Sequence, residues 1–190
     1  MLAIISPSKT QDFSQCDIDF YSQTRHLENS SELVSILKKK SQSQISKLMA
    51  LSEKLSKLNF DRFQKFKLPF NRDNAKQAIL AFKGDVYNGI DAPALSTDDL
   101  KFAQDSVRML SGLYGVIRPL DLIQPYRLEM GTKLSNSKGK DLYEYWGTEI
   151  SDVLNEDESE LIVNLSSNEY FKAVDKKILI SPASVQVKVE

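Results

Sequence analysis

Apolar positions along this chain follow two periods, and each predicts a different kind of element. LAIIS (residues 2–6) is a short apolar run stopped by Pro7, which predicts a buried strand. From residue 29 the period is helical. Asn29 with Glu32 has the form of a capping box opening one helix. Ser41 with Gln44 opens another, on which Ile45, Leu48, Leu55 and Leu58 share a face. RDNAKQAILAF (72–82) predicts a shorter amphipathic helix, ended by the two glycines of KGDVYNG. Thr97, followed by Asp98 and Asp99, caps a further helix carrying Leu100, Ala103, Val107 and Leu110 at helical spacing. KDLYEYWGTEISDVL (140–154) places Leu142, Tyr145, Trp146, Ile150, Val153 and Leu154 on one side of a helix weakened at Gly147. ELIVNLSS (160–167) predicts a buried strand, and KKILISPASVQVKV alternates like a strand. AIISPS (3–8) and ILISPAS (178–184) echo one another as two similar strand ends. No linker or low-complexity segment interrupts the series. The expectation is a mixed α/β (α+β) fold in a single compact domain over residues 1–190.

The stretch RMLSGLYGVIRPLDLIQPYRLEMG (108–131) concentrates glycines, prolines and arginines. Read as the end of the 97–110 helix, it turns at SGLYG, where Gly112 and Gly115 allow positive φ and close approach of another backbone. Arg118 precedes a proline and is biased away from helical geometry, and Pro119 suits the first position of a second helix running to about Gln124. The prediction is a helix-hairpin-helix-like element over about 97–125. Gly112, Tyr114, Gly115 and Arg118 would grip a backbone phosphate, and Arg127, Lys133, Lys138 and Lys140 would add charge.

Composition narrows the chemistry. The chain has 190 residues, 41% hydrophobic and 27% charged, enough to bury a core. Its net charge of −1 argues against an all-over basic surface, but the charge is patterned. Residues 25–67 carry ten Lys or Arg against four acids, whereas NEDESE (155–160) is acidic. His26 is the only histidine, which excludes a His-rich zinc site and leaves any His-activated nucleophile dependent on that residue. No G-x-S-x-G, Walker or G-x-G-x-x-G motif is present. Neither a metal nor a cofactor is predicted. Cys16, the single cysteine, can form no intramolecular disulfide. With no run of about 18 apolar residues, and MLAIIS lacking a basic flank, the expectation is a cytoplasmic protein with no membrane partner.

A second set of residues gathers at the ends of apolar runs, where loops build sites: Ser6, Lys9, Lys83, Asp85, Tyr87, Arg127, Glu129, Asn164, Ser166, Glu169 and Tyr170. Lys9 or Lys83 would bind an anion, and Asp85 or Glu129 would act as acid or base or hold a divalent cation. Lys83, Asp85 and Glu129 are therefore the catalytic candidates of an enzyme acting on nucleic acid or a nucleotide-like anion. Against this, Asp85 also fits a turn cap, and Glu129 a salt bridge to Arg127 or Lys133. Tyr114, Tyr126 and Tyr143 could stack on unpaired bases, yet tyrosines in such positions are more often core residues with a wet hydroxyl.

ISPSKT (5–10), QAILAFKGDVYNGI (77–90), the 108–131 stretch, KGKDLYEYWG (138–147) and VNLSSNEYFKAV (163–174) together resemble the peroxide-stress protein YaaA family, across residues 1 to about 177. The resemblance implies a bacterial cytoplasmic protein of the hydroperoxide response, one that limits free iron and hence iron-dependent DNA damage. It also implies a distinctive mixed α/β fold, a helix-hairpin-helix element and sequence-independent binding of double-stranded or structured DNA in a positive cleft. The family pattern continues past ISPASVQVKVE with a further strand and a basic segment, so a C-terminally incomplete member is expected. With no His or Cys cluster, any effect on iron is expected to be indirect.

Overall fold

The apolar run at the start of the chain becomes the centre of a five-stranded sheet. A computed structural model describes residues 1–180 and 183–186. With elements numbered in chain order, β1 (Leu2–Ile5) lies between β5 (Val107–Ser111) and β8 (Leu161–Asn164), parallel to both, with Ala3 opposite Val107 and Val163. β9 (Ala183–Gln186) extends the sheet in parallel beyond β8, and β6 (Gly115–Ile117) closes the other edge antiparallel to β5, giving the order β6-β5-β1-β8-β9. A strand covered on both faces needs no polar side, which is why LAII, buried but for Ala3, reads as a plain apolar run, whereas β8 alternates partly exposed and buried positions. The two echoing segments flank β8, with Ser181 and Pro182 of the second outside the described residues.

Between β1 and β5 the chain builds one small two-stranded ribbon, the first strand of a second and most of its described helices. β2 (Thr10–Gln11) precedes α1 (Leu27–Lys38), α2 (Gln42–Met49) and α3 (Glu53–Lys65). Helix α1 begins after His26 rather than at Asn29. The Asn29 side chain instead donates to Glu149 at 2.8 Å, and Glu32 accepts from the hydroxyls of Ser137 and Tyr145. The Ser41 capping box forms as expected, but the single helix predicted after it is two. Ala50 adopts left-handed geometry (φ 49°, ψ 50°) and Ser52 caps a fresh start. Ile45 is accordingly buried, while Leu55 and Leu58 on α3 are exposed.

Residues 72–82 do not form a helix. β3 (Lys76–Gln77), a single turn α4 (Ala78–Ala81) and β4 (Phe82–Lys83) follow one another, and every residue from Ala75 to Phe82 is buried. A segment enclosed on all sides has no solvent face to dictate a helical period. β4 pairs with β2, and β3 with β7 (Leu122–Ile123). Next come α5 (Asp85–Ile90), a 3₁₀ turn (Ala92–Ala94) and α6 (Thr97–Ser106), which Ser96 rather than Thr97 caps, closing a box with Asp99.

The largest departure is at 107–125. The predicted helix-hairpin-helix is a β-hairpin: β5 and β6 pair with Met109 opposite Ile117 and Ser111 opposite Gly115. Val107 and Leu110 belong to β5, and the second helix does not form, because Arg118–Asp121 turns directly into β7. Every residue from Arg108 to Ile117 is buried, so the helical spacing seen in the sequence reflected complete enclosure rather than one apolar face.

Downstream, α7 (Leu142–Trp146) and α8 (Glu149–Glu156) divide the predicted 140–154 helix at Gly147 (φ 49°), yet all six apolar residues assigned to its inner side are buried. α9 (Asn168–Phe171) follows β8. One core cluster runs from Leu2 to Val174, with a smaller one around Leu100 and Leu120. Among the described residues no helix is long and apolar enough to cross a membrane.

Candidate nucleic-acid interface and polar cleft

The residues chosen from sequence as a phosphate grip are structural. Tyr114 is fully buried, its hydroxyl accepting from the Gln124 N–H at 3.0 Å and donating to the Gln124 carbonyl at 3.3 Å. Burial pushes its pKa far above the ordinary tyrosine range. A Cβ on Gly112 would stand 2.3 Å from the Leu128 carbonyl oxygen, so this glycine lets two backbones touch rather than admitting a ligand. Gly115 (φ 70°) lies against Trp146. Arg118 is bound by Asp121 at 3.0 Å, and Asp121 also accepts from Ser22. Of the other predicted cations, Lys138 pairs with Glu149 and lies over the Tyr145 ring, and Lys140 pairs with Glu144 at 3.0 Å. Lys133 is exposed. Tyr126 is a core residue bonded to Ser111, and Tyr143 donates to the Glu169 carbonyl beneath Lys172.

The second sequence-derived set is partly brought together, at the carboxyl ends of β1 and β8. From β1 the chain passes to β5 on one side, and from β8 to β9 on the other, so the loops diverge and open a crevice between them. Ser6 and the 164–167 loop hold this point. The Ser167 N–H donates to Ser6 Oγ at 2.9 Å, Tyr87 donates to the Ser6 carbonyl at 2.8 Å, and Asn164 Oδ1 accepts from both the amide and the hydroxyl of Ser166. Asn164 is buried, and its Nδ2 has no partner among the described residues.

Beyond this frame, Lys9, Arg127, Glu129, Glu169 and Tyr170 line two adjoining cavities that share Arg127 and Glu129. Glu129 is held from two sides, by Lys9 at 3.1 Å and Arg127 at 3.0 Å; Glu169 accepts from the Gly131 amide at 2.9 Å. Burial, then the neighbouring Tyr126, Glu169 and Glu129, raises the pKa of Tyr170 and keeps it a neutral hydroxyl. Lys83 and Asp85 line neither cavity: Lys83 lies 3.9 Å from Asp12, and Asp85 is an exposed residue in the first turn of α5. Of the three catalytic candidates, only Glu129 is in the cleft.

Sequence reasoning missed the wall opposite. The cavity of about 250 Å³ around Arg127, Glu129 and Glu169 is closed by Leu48, Met49 and Ala50, the end of α2 and its left-handed turn. Two helices joined by a tight three-residue turn therefore do occur in this protein, at 42–65, without a glycine at the turn. Arg62 on α3 is half-buried, and burial first, then the charge of Arg127, lowers its pKa. Among the described residues its one hydrogen bond is to Asn59, at 3.4 Å. From there a cavity of about 500 Å³ carries Arg62, Lys65 and Lys67. It shares Asp73, Asn74 and Pro125 with one of about 590 Å³ that includes Arg72, Lys76 and Cys16. The sequence signal for this surface was the excess of Lys and Arg in residues 25–67.

The chain matches the family model described as "Peroxide stress protein YaaA" over residues 1–190. It is 51% identical to a UPF0246 protein of Hahella chejuensis, covering 96% of this chain and 73% of that protein. A UPF0246 protein of Albidiferax ferrireducens is 53% identical over 94% of this chain and 71% of its own length. A third, from Pseudoalteromonas translucida, is 51% identical with the same coverage. With a match along its whole length and half its residues shared with these proteins, the chain belongs to the peroxide stress protein YaaA family.

Proposed function

We propose that this protein acts in the peroxide stress response by binding DNA through its backbone phosphates, so limiting iron-dependent damage to it, and that the binding surface is the groove from Arg127 through Arg62 to Lys65, Lys67 and Arg72. The observation that carries the reading is the pair of linked cavities lined by Arg62, Lys65 and Lys67 and then by Arg72 and Lys76. Arg62, half-buried and with Asn59 as its one hydrogen-bond partner among the described residues, is a cation whose burial a phosphate would relieve. Lys65 and Lys67 continue the positive surface, and the adjoining cavities form a track rather than a closed pocket. Backbone contacts of this kind carry no base sequence and are salt-dependent. The test is labelled-duplex anisotropy across a salt series. Affinity should fall linearly in log salt, irrespective of sequence. Arg62→Ala and Arg127→Ala should each lower the slope by about one unit, whereas Lys140→Ala should leave it unchanged. A slope insensitive to Arg62 would remove the groove from the interface.

A further inference from the structure

The small cavity at the end of the groove has a different chemistry from the rest. Its walls are Leu48, Met49 and Ala50 on one side and Arg127, Glu129, Gly131, Thr132 and Glu169 on the other. Two carboxylates make a poor seat for another phosphate. Arg127 and Lys9 already offset Glu129, whereas among the described residues Glu169 has only the Gly131 amide on Oε1, leaving Oε2 available as an acceptor. A Cβ on Gly131 would stand 3.2 Å from that Oε1, a tight but not forbidden approach. At about 250 Å³ the space falls just below the range of pockets that hold drug-sized ligands, which suits one flat ring system.

An apolar wall for a ring face, a carboxylate for an edge that donates N–H, and an arginine for the attached phosphate are the three demands of a single nucleotide. We infer that this cavity takes the base of one unpaired nucleotide, selecting a base with an exocyclic amino group through Glu169, while its phosphate lies toward Arg127. Cytosine and adenine present such a group and thymine does not. The inference deepens the groove reading and rests on it for the direction of the strand, but the pocket is testable without a strand.

The first experiment is ligand-detected NMR on the full 190-residue chain with dCMP, dAMP, dTMP and deoxyribose 5-phosphate. Binding of dCMP and dAMP about tenfold tighter than dTMP is expected, with deoxyribose phosphate weaker still. Glu169→Gln should abolish the preference without changing the melting temperature, and Met49→Ser should weaken all three nucleotides alike. Arg62→Ala should weaken duplex binding and leave the nucleotide preference intact. Equal affinity for all four probes, or a preference that survives Glu169→Gln, would overturn the inference while leaving the groove untouched. Failure of every mononucleotide to bind at millimolar concentration would overturn it too. Loss of duplex binding alongside a retained dCMP preference would reject the groove and keep the pocket.

Discussion

A Cβ placed on Gly115 would stand 2.8 Å from Cζ3 of Trp146. The same indole donates its N–H to the Gly112 carbonyl at 3.1 Å, so the turn of the β5–β6 hairpin is clamped by one buried ring. Gly115→Ala adds both this clash and a side chain at φ 70°. A loss of about 3 kcal/mol is expected, or roughly 10 °C in melting temperature for a chain of this size, read by Trp146 fluorescence. In whatever fraction still folds, duplex affinity should equal that of the wild type; a selective loss of DNA binding in stably folded protein would return the hairpin to the interface.

Arg108 and Asp157 form a buried pair at 2.6 Å, with Arg25 reaching the other carboxylate oxygen at 2.7 Å from a more exposed position. Burial opposes ionisation of Asp157, yet the bonds from Arg108 and Arg25 outweigh it and hold its pKa below the ordinary value. Removing the buried partner leaves a charge short of its compensation. Arg108→Ala should cost about 3 kcal/mol, and Arg25→Ala no more than about 1 kcal/mol, in urea titrations. Equal costs for the two would show that solvent reaches Asp157 as readily as it reaches Arg25.

His26 packs edge-on against Trp146 at 5.4 Å, its Nε2 buried without a partner among the described residues, and Glu149 lies 3.8 Å from Nδ1. Burial lowers its pKa from the ordinary 6.5, and the attraction of Glu149 offsets this only in part. The unfolded chain then binds the proton more readily than the folded one. Stability is therefore full above the unfolded pKa and declines as pH falls toward the folded value. Because this is the sole histidine, the change between about pH 5 and 7 is attributable to it. His26→Phe should flatten the urea midpoint across that window, and an unaltered slope in the variant would assign the proton elsewhere.

Ala50 holds left-handed geometry at the turn between α2 and α3 (φ 49°, ψ 50°). Alanine is strained there and glycine is not, so Ala50→Gly should stabilise by about 1 kcal/mol, seen as a rise in melting temperature. A fall would mean that the alanine methyl group contributes more through packing than its backbone costs.

The sheet strands LAII and LIVN, the Ser41 capping box and the buried side of residues 142–154 were legible because short-range chemistry decides them. An apolar run stopped by proline, a Ser-x-x-Gln box and a repeated apolar face keep their meaning in most surroundings. The 107–117 segment was not legible. Both its faces are buried, and enclosure on all sides erases the difference between helical and strand periods. Its pairing partner, β1, lies about a hundred residues earlier in the chain. The candidate site divides the same way. Sequence alone identified Lys9, Arg127, Glu129, Glu169 and Tyr170 as polar residues at the ends of apolar runs, and the excess of positive charge in residues 25–67. Only the tertiary structure joined Arg62, Lys65 and Lys67 to the cavity of Arg72 and Lys76, brought the α2–α3 turn against Glu169, and withdrew Lys83 and Asp85 from the cleft. Those relationships depend on loops from distant strands meeting at the carboxyl end of one sheet, and local sequence carries no record of where such loops converge.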